Sequence, residues 1–515
     1  MNGAENLVKA LVNLGVDTCI TNPGTSEMHF VNALDSVEGM RPVLGLFEGV
    51  VTGAADGYGR MAGKPAATLL HLGPGLTNGL ANLHNARRAN SPIVNIVGDH
   101  ATYHRQYDAP LQSDIVSVAR PVSNWMQTVK SASSITADAA EAVAAAYGPP
   151  GGISTLILPA DLSWGDSDAG PIDSLQKKAA KTVAADTITR MAKVLSSGKP
   201  AMLLLRGDVL LEDGLAAAGR VAEVSGSKLF CDTFVSRLQR GAGRAKIQRL
   251  PYFGEGVVDK MAGIKHLILV GTKPPVSFFA YPDKPGWLTP EDCEIHTLSE
   301  PDENGTQALL DLADELGAPA DGLSLYTERR PELHTGPLTQ ASVAAAAGAF
   351  LPENAVVSDE SGTSGLFLLK ETAGASPHDW LFLTGGSIGQ GLPLATGAAL
   401  ACPDRKVVSF CGDGGAMQTI QALWTQAREN LDVTTVIFSN RQYGILQVEF
   451  HRVGVTNPGP KALSVTSLDN PELDFQQLSR GMGVPADRAT TADEFNRLFE
   501  AAMKNRGPRL IEVVL

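Results

Sequence analysis

The sequence lacks the features that mark disulfide-rich, secreted or membrane-spanning proteins. Only five of its 515 residues are cysteines, and they are scattered without a CxxC pair or a pairing pattern. This usage excludes a disulfide framework and argues against a zinc site. No apolar run approaches the length of a transmembrane helix, and the opening stretch, MNGAENLVKALVNLG, has no signal-peptide core. We therefore expect a cytoplasmic protein that makes no contact with a membrane.

Positive charge is also scarce. The chain carries 42 Lys and Arg against 55 Asp and Glu, a formal net charge of −13, and it has no basic run. This balance excludes a nucleic-acid-binding surface. Hydrophobic residues make up 43% of the chain and charged residues 19%. Such a composition is typical of a globular protein, and this length predicts about two to four domains.

Glycine, in contrast, is abundant. There are 53 glycines, many of them where an apolar run passes into a helical stretch, as is usual in α/β folds. Two polar stretches, GDSDAGPIDSLQKKAAK and LYTERRPELHTGPL, interrupt this pattern. We predict an α/β protein of three doubly wound parallel-sheet domains, spanning residues 1–165, 182–322 and 339–515.

The most informative segment runs from Gly412 to Gly444. An apolar run, KVVSFC, ends in Gly-Asp-Gly, a helical stretch follows, and a second run, VTTVIFS, ends at Asn440. The 27 positions from Asp413 to Asn440 predict a right-handed βαβ unit, with both side chains at the carboxyl ends of neighbouring strands. Carboxylate, amide and carbonyl oxygens are suitable ligands for Mg²⁺. The alternative is an ordinary turn in which Asp413 only caps the helix.

The order Gly-Asp-Gly, helix, strand and Asn-x-x-Tyr-Gly resembles the signature of thiamine-diphosphate-dependent enzymes. The resemblance implies that Asp413, Asn440 and Gln442 bind Mg²⁺, which holds the diphosphate of the cofactor. One departure is that Ser439 stands where the family has a first Asn; the second Asn is the metal ligand. The resemblance, with the segment SDESGTSG, also implies a set of diphosphate contacts: Thr363, Gly414, Gly415, Tyr443 and Gly444.

The segment GLFEGVVTGAADGYGR places Glu48 at the start of a helical stretch, among small and apolar residues. A carboxyl group in such a setting can share a proton with a ring nitrogen. A Glu at a helix start is also a common partner of the helix dipole. The segment resembles the activating-glutamate motif of the family, which implies that Glu48 is catalytic and binds N1′ of the aminopyrimidine.

The glycine-rich segment TGGSIGQGLPLATGAAL contains one bulky residue near its start, Ile388. Its glycines let the backbone approach a ligand closely. In the family, a large aliphatic residue here holds the cofactor in a bent shape, and the carbonyl two positions earlier accepts from N4′. The resemblance implies these roles for Ile388 and Gly386, and an isoleucine of the hydrophobic core is the alternative.

The resemblance identifies the three predicted domains as pyrimidine-binding, central and diphosphate-binding. Glu48 lies in the first and Asp413 in the third, yet both must contact one cofactor molecule. In the family these two domains come from different subunits. The resemblance therefore implies a homodimer or homotetramer with active sites between subunits.

Within the family, nearly the whole chain resembles benzoylformate decarboxylases. NPGTSEMHF resembles a loop with a pocket serine, whose place is taken by Thr25, and LLHLGPGLTNG resembles the loop of the first catalytic histidine, which falls on His71. The resemblance therefore implies catalytic roles for Thr25 and His71. A histidine there can relay protons, although a lone histidine is more often structural. The second histidine of these enzymes has no counterpart near Phe279, and His100 and His104 are candidate replacements.

Acetolactate synthase large subunits are the second resemblance. Glu449 stands where those enzymes have the tryptophan that selects the acceptor, and Leu111 stands where they have a pocket glutamine. FAD is a further candidate cofactor, but the FAD-binding features of the central domain are not recognisable. The segment GPGLTNG lacks the spacing and the ribose-binding acid of a dinucleotide site, so we assign it to a loop of the pyrimidine-binding domain.

We therefore predict a thiamine-diphosphate- and Mg²⁺-dependent enzyme that decarboxylates a 2-oxo acid without oxidation. Its product is an aldehyde, or the fragment is joined to an acceptor carbonyl. Thr25, His71 and Leu111, with Phe278 or Phe279, are predicted to line the substrate pocket. The rival hypotheses are an acetolactate synthase-type carboligase, a degenerate paralogue that binds the cofactor without turnover, and a nicotinamide-dependent dehydrogenase.

Overall fold

The computed structural model describes residues 1–172, 174–321 and 323–515. In these ranges the chain forms three largely parallel β-sheets with helices packed against them, which confirms the predicted α/β fold class. Residue 322, where the predicted central domain ends, lies outside the described residues. Among the described residues, no helix is both long and apolar enough to span a bilayer.

The first sheet has six strands, and its bounds fall in the amino-terminal third of the chain: β1 (Thr18–Asn22), β2 (Arg41–Leu44), β3 (Ala66–Leu70), β4 (Ile93–Asp99), β5 (Trp125–Thr128) and β6 (Ile153–Pro159). The accompanying helices are α1 (Gly3–Asn13), α2 (Met28–Ser36), α3 (Glu48–Ala62), α4 (Leu72–Ala89), α5 (Ile115–Ala119), α6 (Ile135–Tyr147) and α7 (Ala160–Trp164). Short 3₁₀ helices cover Thr25–Glu27, Arg105–Tyr107 and Ala132–Ser134. The strands lie in the order β2-β1-β3-β4-β6-β5, and every neighbouring pair is parallel.

The middle of the chain contributes six strands: β7 (Ala201–Leu205), β8 (Lys228–Cys231), β9 (Leu238–Arg240), β10 (Gln248–Arg249), β11 (His266–Val270) and β12 (Glu294–Ser299). Its helices are α8 (Ala185–Leu195), α9 (Glu212–Ser225), α10 (Gly254–Met261) and α11 (Gly305–Glu315), with a 3₁₀ helix at Gly207–Leu210. Five of these strands form a parallel sheet in the order β10-β8-β7-β11-β12. The sixth, β9, joins the third sheet instead.

The third sheet is formed by β9 and six strands from the carboxyl-terminal part: β13 (Val356–Glu360), β14 (His378–Phe382), β15 (Val407–Gly412), β16 (Val433–Ser439), β17 (Ala486–Ala489) and β18 (Arg509–Val514). Its helices are α12 (Gln340–Phe350), α13 (Leu368–Glu371), α14 (Gly391–Ala401), α15 (Asp413–Ala416), α16 (Ala422–Arg428), α17 (Gly444–Arg452), α18 (Pro460–Ser464), α19 (Phe475–Gly481) and α20 (Ala492–Lys504), with a 3₁₀ helix at Gly362–Gly365. The order is β17-β18-β16-β15-β13-β14-β9, and only the β14–β9 pair is antiparallel among these described strands.

The strands of all three sheets are built from short apolar runs. Strands β3, β7 and β11, with the sequences AATLL, AMLLL and HLILV, are buried along their whole length. Continuous burial is expected where helices cover both faces of a parallel sheet. Polar side chains are therefore placed mainly at the strand ends, and the candidate site lies there.

Helices α3 and α14 join the first and third sheets through close contact between their backbones. A Cβ added at Gly57 would lie 2.1 Å from the carbonyl oxygen of Leu394, and one added at Gly397 would lie 1.8 Å from that of Ala54. Only glycine fits at such separations. This contact therefore determines how the two sheets, and the residues at their ends, are placed relative to each other.

Glu360, the last residue of β13, holds the turn that leads into α14. Its carboxyl oxygens accept hydrogen bonds from the backbone N–H groups of Gly389 and Gly391, both at 2.5 Å. The side chain is buried, and burial raises the pKa of the Glu360 carboxyl to about 7, although these N–H donors oppose the shift. The start of α14 thus depends on one buried acidic group.

Gly397→Ala should destabilise the protein, although alanine normally favours a helix over glycine by about 1 kcal/mol. The added methyl group would force α3 and α14 apart, and overpacking of this kind costs about 1–3 kcal/mol. Gly481→Ala is the matched control, since a Cβ at that helical position meets no atom within 4 Å. Urea denaturation followed by circular dichroism measures both. A Gly397→Ala protein as stable as the wild type would show that the helices are not in close contact.

The contribution of Glu360 to the free energy of unfolding should fall as the pH rises from about 5 to about 8, whereas buried His378, whose pKa is lowered to about 3, contributes in the opposite direction. The pKa of Glu360 is raised from 4.5 to about 7, so the folded protein keeps a proton that the unfolded chain has released. This contribution is complete below pH 4.5 and is lost as the pH passes through about 7, by up to about 3 kcal/mol. Glu360→Gln cannot titrate, so its free energy of unfolding should lack this fall and should change with pH in a more upward direction than that of the wild type.

Denaturation midpoints at a series of pH values provide the measurement. Glu360→Gln also loses one acceptor at every pH, so the slope against pH, rather than the absolute stability, is the quantity compared. Glu353→Gln, which changes an exposed carboxyl on the loop before β13, should keep the wild-type slope. Parallel curves for Glu360→Gln and wild type would rule out the raised pKa.

Candidate active site

Asp413 and Asn440 lie at the carboxyl ends of adjacent parallel strands, as predicted. Asp413 follows β15 and opens α15, Asn440 follows β16, and the strand register pairs Gly412 with Phe438. The Oδ2 atom of Asp413 accepts a hydrogen bond from the backbone N–H of Arg441 at 2.6 Å, which ties the two strand ends together. The predicted βαβ unit is confirmed.

The oxygen atoms at this edge suit a divalent cation. Burial raises the pKa of the Asp413 carboxyl, despite the backbone N–H groups of Gly414 and Arg441 that donate to it. A cation would offset the cost of this buried charge. Asn440 Oδ1 and the backbone carbonyl of Gln442 supply uncharged oxygens on the turn that follows β16, and such a set is one that Mg²⁺ accepts.

The alternative role for Asp413, as the cap of the helix, is wrong. The N-cap of α15 is Gly412, and Asp413 is already the first helical residue. Its Oδ1 accepts from the adjacent N–H of Gly414 at 2.8 Å, and its other oxygen reaches across to the end of β16. The carboxyl group therefore organises the strand ends and does not merely terminate a helix.

The predicted diphosphate contacts gather at the same edge of the sheet. Thr363 lies in the 3₁₀ helix after β13, the strand next to β15. A Cβ on Gly444 would lie 2.8 Å from the Thr363 hydroxyl and 3.3 Å from Asn440 Nδ2. One on Gly414 would lie 2.3 Å from the ring of Tyr443. Glycine at both positions keeps side chains out of this edge, so that a phosphate can approach the backbone closely.

Glu48 begins α3, as predicted, and is buried. Its Oε2 accepts a hydrogen bond from Asn78 Nδ2 at 3.0 Å, and a Cβ on Gly75 would lie 3.4 Å from its Oε1. Both neighbours belong to α4. The Thr52 hydroxyl lies 3.0 Å from the carbonyls of Glu48 and Gly79 and links the two helices. The carboxyl group is therefore held in one position, away from bulk water.

Asn82 connects the start of α3 with the glycine-rich segment before α14. Its Nδ2 donates to the carbonyl of Gly49 at 2.7 Å and to the carbonyl of Gly389 at 3.1 Å. The amino ends of α3 and α14 therefore lie together within one chain. These two hydrogen bonds place the start of α3, where Glu48 lies, beside the loop that contains Ile388.

Ile388 stands on a loop whose backbone is fixed from both sides. Asn85 Nδ2 donates to the carbonyl of Ser387 at 2.8 Å, and Gly386 adopts φ = +78°, a conformation that favours glycine. Ile388 itself is 43% exposed, so it does not belong to the hydrophobic core and that alternative is wrong. An exposed aliphatic side chain on a fixed loop is available to contact a bound molecule.

His71 immediately precedes α4 and is paired with a buried carboxylate. Its Nδ1 lies 2.9 Å from Glu27 Oε2 and 3.4 Å from Ser26 Oγ. The next residue, Leu72, has φ = +49°, which is rare for a bulky side chain and strains the backbone. A strained turn beside a carboxylate-paired histidine favours a functional role for His71 over a structural one.

Thr25 and the two candidate histidines share a cavity of about 360 Å³. The ring centroids of His100 and His104 are 5.6 Å apart, and the buried His100 Nε2 has no hydrogen-bond partner within the described part of the chain. Ser26 also lines this cavity and contacts His71. The structure therefore brings Thr25, His100 and His104 to one cavity, and His71 contacts Ser26 on the wall of that cavity.

The two remaining pocket residues lie on different segments. Leu111, on the loop between β4 and α5, is 37% exposed, and its carbonyl accepts from the Ser113 hydroxyl at 3.4 Å. Phe279 follows β11 and is 55% exposed, with its ring 4.8 Å from that of Phe278. A Cβ on Gly386 would lie 2.7 Å from Phe278 Cζ, so the phenylalanine pair reaches the Ile388 loop rather than the His71 turn.

Sequence reasoning missed three side chains: Glu27, Asn82 and Glu360. Each acts on a segment that is distant along the chain. A Cβ on Gly415 would lie 2.8 Å from Glu360 Oε1, so this acid supports the diphosphate segment as well as α14. The sequence did contain a signal for Glu360, because an acidic residue ends the apolar run VVSDE. In the segment that follows this run, Thr363 was the side chain predicted to contact the cofactor.

Two family models match the chain. Residues 1–128 match the N-terminal TPP-binding domain of thiamine pyrophosphate enzymes, and residues 361–513 match the C-terminal TPP-binding domain. Thiamine pyrophosphate is another name for thiamine diphosphate. The first match contains the Glu48 and His71 segments, and the second contains the Asp413, Asn440 and Ile388 segments.

The chain is similar to individual proteins along its whole length. It is 53% identical to "Putative acetolactate synthase large subunit IlvX" of Mycobacterium tuberculosis, with 100% of this chain and 99% of that protein covered. It is 29% identical to benzoylformate decarboxylase of Pseudomonas aeruginosa, covering 97% and 96%. The fold matches 4-hydroxybenzoylformate decarboxylase of Rhodococcus jostii with a TM-score of 0.86, at 24% identity and 100% and 99% coverage. The chain therefore belongs to the thiamine-diphosphate-dependent enzymes and is related to both benzoylformate decarboxylases and acetolactate synthases.

Proposed function

We propose that this enzyme uses thiamine diphosphate and Mg²⁺ to remove CO₂ from a 2-oxo acid, releasing an aldehyde or joining the fragment to an acceptor carbonyl. The observation that carries the proposal is the hydrogen bond between His71 and the buried Glu27. These two residues and Glu48 belong to the segments that connect the strands of the first sheet. Thiamine diphosphate, when bound, supplies the nucleophilic carbon and the electron sink that loss of CO₂ requires. The protein then has to hold the cofactor, hold one proton on it and move another.

The third sheet would hold the diphosphate end. Asp413, Asn440 and the carbonyl of Gln442 provide the oxygen ligands for Mg²⁺, and the buried carboxyl of Asp413 supplies the charge. Thr363, with the backbone N–H groups of the Gly414 turn, would bind the phosphate oxygens. Gly415, Tyr443 and Gly444 complete this set.

The first sheet would act on the ring end. Glu48 is held by Asn78, and its carboxyl would hold the proton on the aminopyrimidine N1′. Ile388 would support the bent cofactor, and the carbonyl of Gly386 would accept from N4′. These roles follow the family pattern, and the fixed loop and the exposure of Ile388 support them.

His71 would move the second proton. When Glu27 is ionised it can only accept a hydrogen bond, so His71 Nδ1 donates to it and Nε2 is left for the substrate. Thr25 and Leu111 would line the substrate pocket with it. Phe279 lies by the Ile388 loop of its own chain, so it would close this pocket from the second copy of the chain in the proposed dimer. The sequence around Phe279 contains no histidine in place of the second one, so His100 or His104 is the proposed substitute.

An acetolactate synthase-type carboligase is the second candidate, and the name of the 53% identical relative favours it. The side chain of Glu449 argues against it. This carboxylate lies on α17, 3.9 Å from Arg452 Nε, so a charged pair occupies the place of the acceptor-selecting tryptophan. Visible absorbance of the purified protein reports whether FAD is bound.

The functional unit would be a homodimer or homotetramer in the cytoplasm. Large apolar side chains beside Glu48 and Thr363 are exposed in the single chain: Leu46 is 45% exposed, Leu366 is 71% exposed and Phe367 is 41% exposed. A second copy that covers them would bring its own sheet ends to this site. All five cysteines are free thiols, in keeping with a reducing compartment.

The purified enzyme, with thiamine diphosphate and Mg²⁺, should release CO₂ faster from aryl 2-oxo acids, the substrates for which two similar proteins are named, than from pyruvate. Coupled detection of CO₂ and chromatography of the products across a 2-oxo acid panel measure this. Glu48→Gln should lower kcat about 10²–10⁴-fold, the usual size of a general acid–base contribution. The exposed Glu38→Gln is the control and should match the wild type.

Three other outcomes of this experiment are informative. Acetolactate as the main product from pyruvate would establish the second candidate instead. Tight cofactor binding without turnover of any 2-oxo acid would indicate a degenerate paralogue. Full activity in Glu48→Gln would remove Glu48 from the mechanism.

Asp413→Asn should weaken Mg²⁺-dependent binding of thiamine diphosphate at least about tenfold, because the neutral amide cannot match the charge of the carboxylate. Isothermal titration of cofactor into protein, with and without Mg²⁺, measures the effect. Asp404→Asn changes an exposed residue on the loop before β15 and should bind as the wild type does. Equal Mg²⁺ dependence in Asp413→Asn and wild type would place the metal elsewhere.

A further inference from the structure

A cluster of two histidines and one glutamate lies on the central sheet, apart from the candidate active site. His266 is the first residue of β11, Glu294 is the first residue of β12, and His296 follows two positions later. The parallel register pairs His266 with Glu294. Residues two apart on a strand point to the same face, so all three side chains stand on one face of the sheet.

The three side chains converge on one point. His266 Nδ1 lies 3.1 Å from His296 Nε2, and Glu294 Oε2 lies 3.8 Å from each of these nitrogens. A point equally distant from the three atoms lies about 2.1 Å from each, which is the bond length of Zn²⁺ to imidazole nitrogen and carboxylate oxygen. The donor atoms already stand at the separations that a shared metal ion requires.

We propose that His266, Glu294 and His296 form a binding site for Zn²⁺ or a similar divalent transition metal. Two imidazoles and one carboxylate form a set that such metals accept, with water in the remaining position. The ion would link β11 to β12, the outer strand of the central sheet. It would thus act as a structural clamp on that edge.

The position of the cluster separates it from the cofactor cleft. Ligands of open α/β sheets bind at the carboxyl ends of the strands, whereas His266 and Glu294 open their strands. The burial pattern suits a structural metal, because His266 is 4% exposed while the Glu294 side chain is 65% exposed and leaves a path for the ion to enter. Without an ion, the same atoms would make a hydrogen-bonded histidine pair.

Metal analysis and cobalt spectroscopy on untagged, full-length enzyme test the proposal. Thiamine diphosphate and excess Mg²⁺ are present to fill the Asp413 site. After dialysis against Zn²⁺, the wild type should retain about one equivalent per chain and unfold at a higher temperature than the chelated protein. Co²⁺ in place of Zn²⁺ should give the visible absorbance of a four-coordinate site.

His296→Gln and Glu294→Gln change the two more exposed members, so folding is expected to survive. Each should lose the zinc-dependent thermal shift and bind Co²⁺ at least tenfold more weakly. His334→Gln, at an exposed histidine, and Asp413→Asn should both keep the cobalt signal, the second showing that it does not arise from the Mg²⁺ site. If zinc does not raise the unfolding temperature of the wild type, or still raises that of His296→Gln and Glu294→Gln, the cluster is only a hydrogen-bonded histidine pair and the proposal is wrong.

Discussion

The backbone contact between α3 and α14 is the constraint on which the candidate site depends. Gly57 and Gly397 remove the side chains that would separate these helices, and each faces a carbonyl of the other helix. Asn82 then joins the amino ends of the same helices by donating to one carbonyl of each segment. Since Glu48 opens one helix and Ile388 stands just before the other, backbone contacts set their separation within one chain. In the proposed dimer, each of them would face a site completed by the second copy.

Two buried acids at strand ends of the third sheet are suited to different tasks by their surroundings. Glu360 is enclosed by backbone N–H donors on both oxygens and by Cys411, whose sulfur lies 3.8 Å away, so its partners are all supplied by the protein. Asp413 also accepts from backbone, but Asn440 and Gln442 place uncharged oxygens on the adjoining turn. The first arrangement satisfies the acid internally, and the second is the one that we propose to bind a cation.

The sequence predicted the parts of the site that lie within one βαβ unit. Asp413 and Asn440 could be placed because one helix and one strand separate them, and the handedness of such units is nearly invariant. Glu48 could be placed at a helix start for the same local reason. Contacts between segments that are distant in the sequence could not be predicted this way. Asn82 donates to a carbonyl more than 300 positions away, and no motif in either segment identifies the other as its partner.

The same limit explains why the central cluster and the role of Glu27 emerge only in three dimensions. His266 and His296 are in contact because of the register in which β11 pairs with β12. This register cannot be derived from the sequence of either strand alone. The scattered cysteines argued against zinc, but they do not bear on a site built from imidazole and carboxylate. The fold class can be predicted from the alternation of apolar runs and helical stretches along the chain. Contacts between side chains of different strands depend, in addition, on which strands pair and in which register.

The missing second histidine bears on how the proposed reaction ends. His71 is held by Glu27 through Nδ1, so it can serve one proton position and cannot swing to another without breaking that bond. His100 and His104 both line the cavity that Ser26 also lines, and Ser26 contacts His71, so either histidine is placed to act as the proposed substitute. If neither His100 nor His104 delivers a proton quickly, the decarboxylated fragment survives long enough to meet an acceptor carbonyl. The balance between aldehyde release and carboligation would then be set by this cavity rather than by the cofactor site.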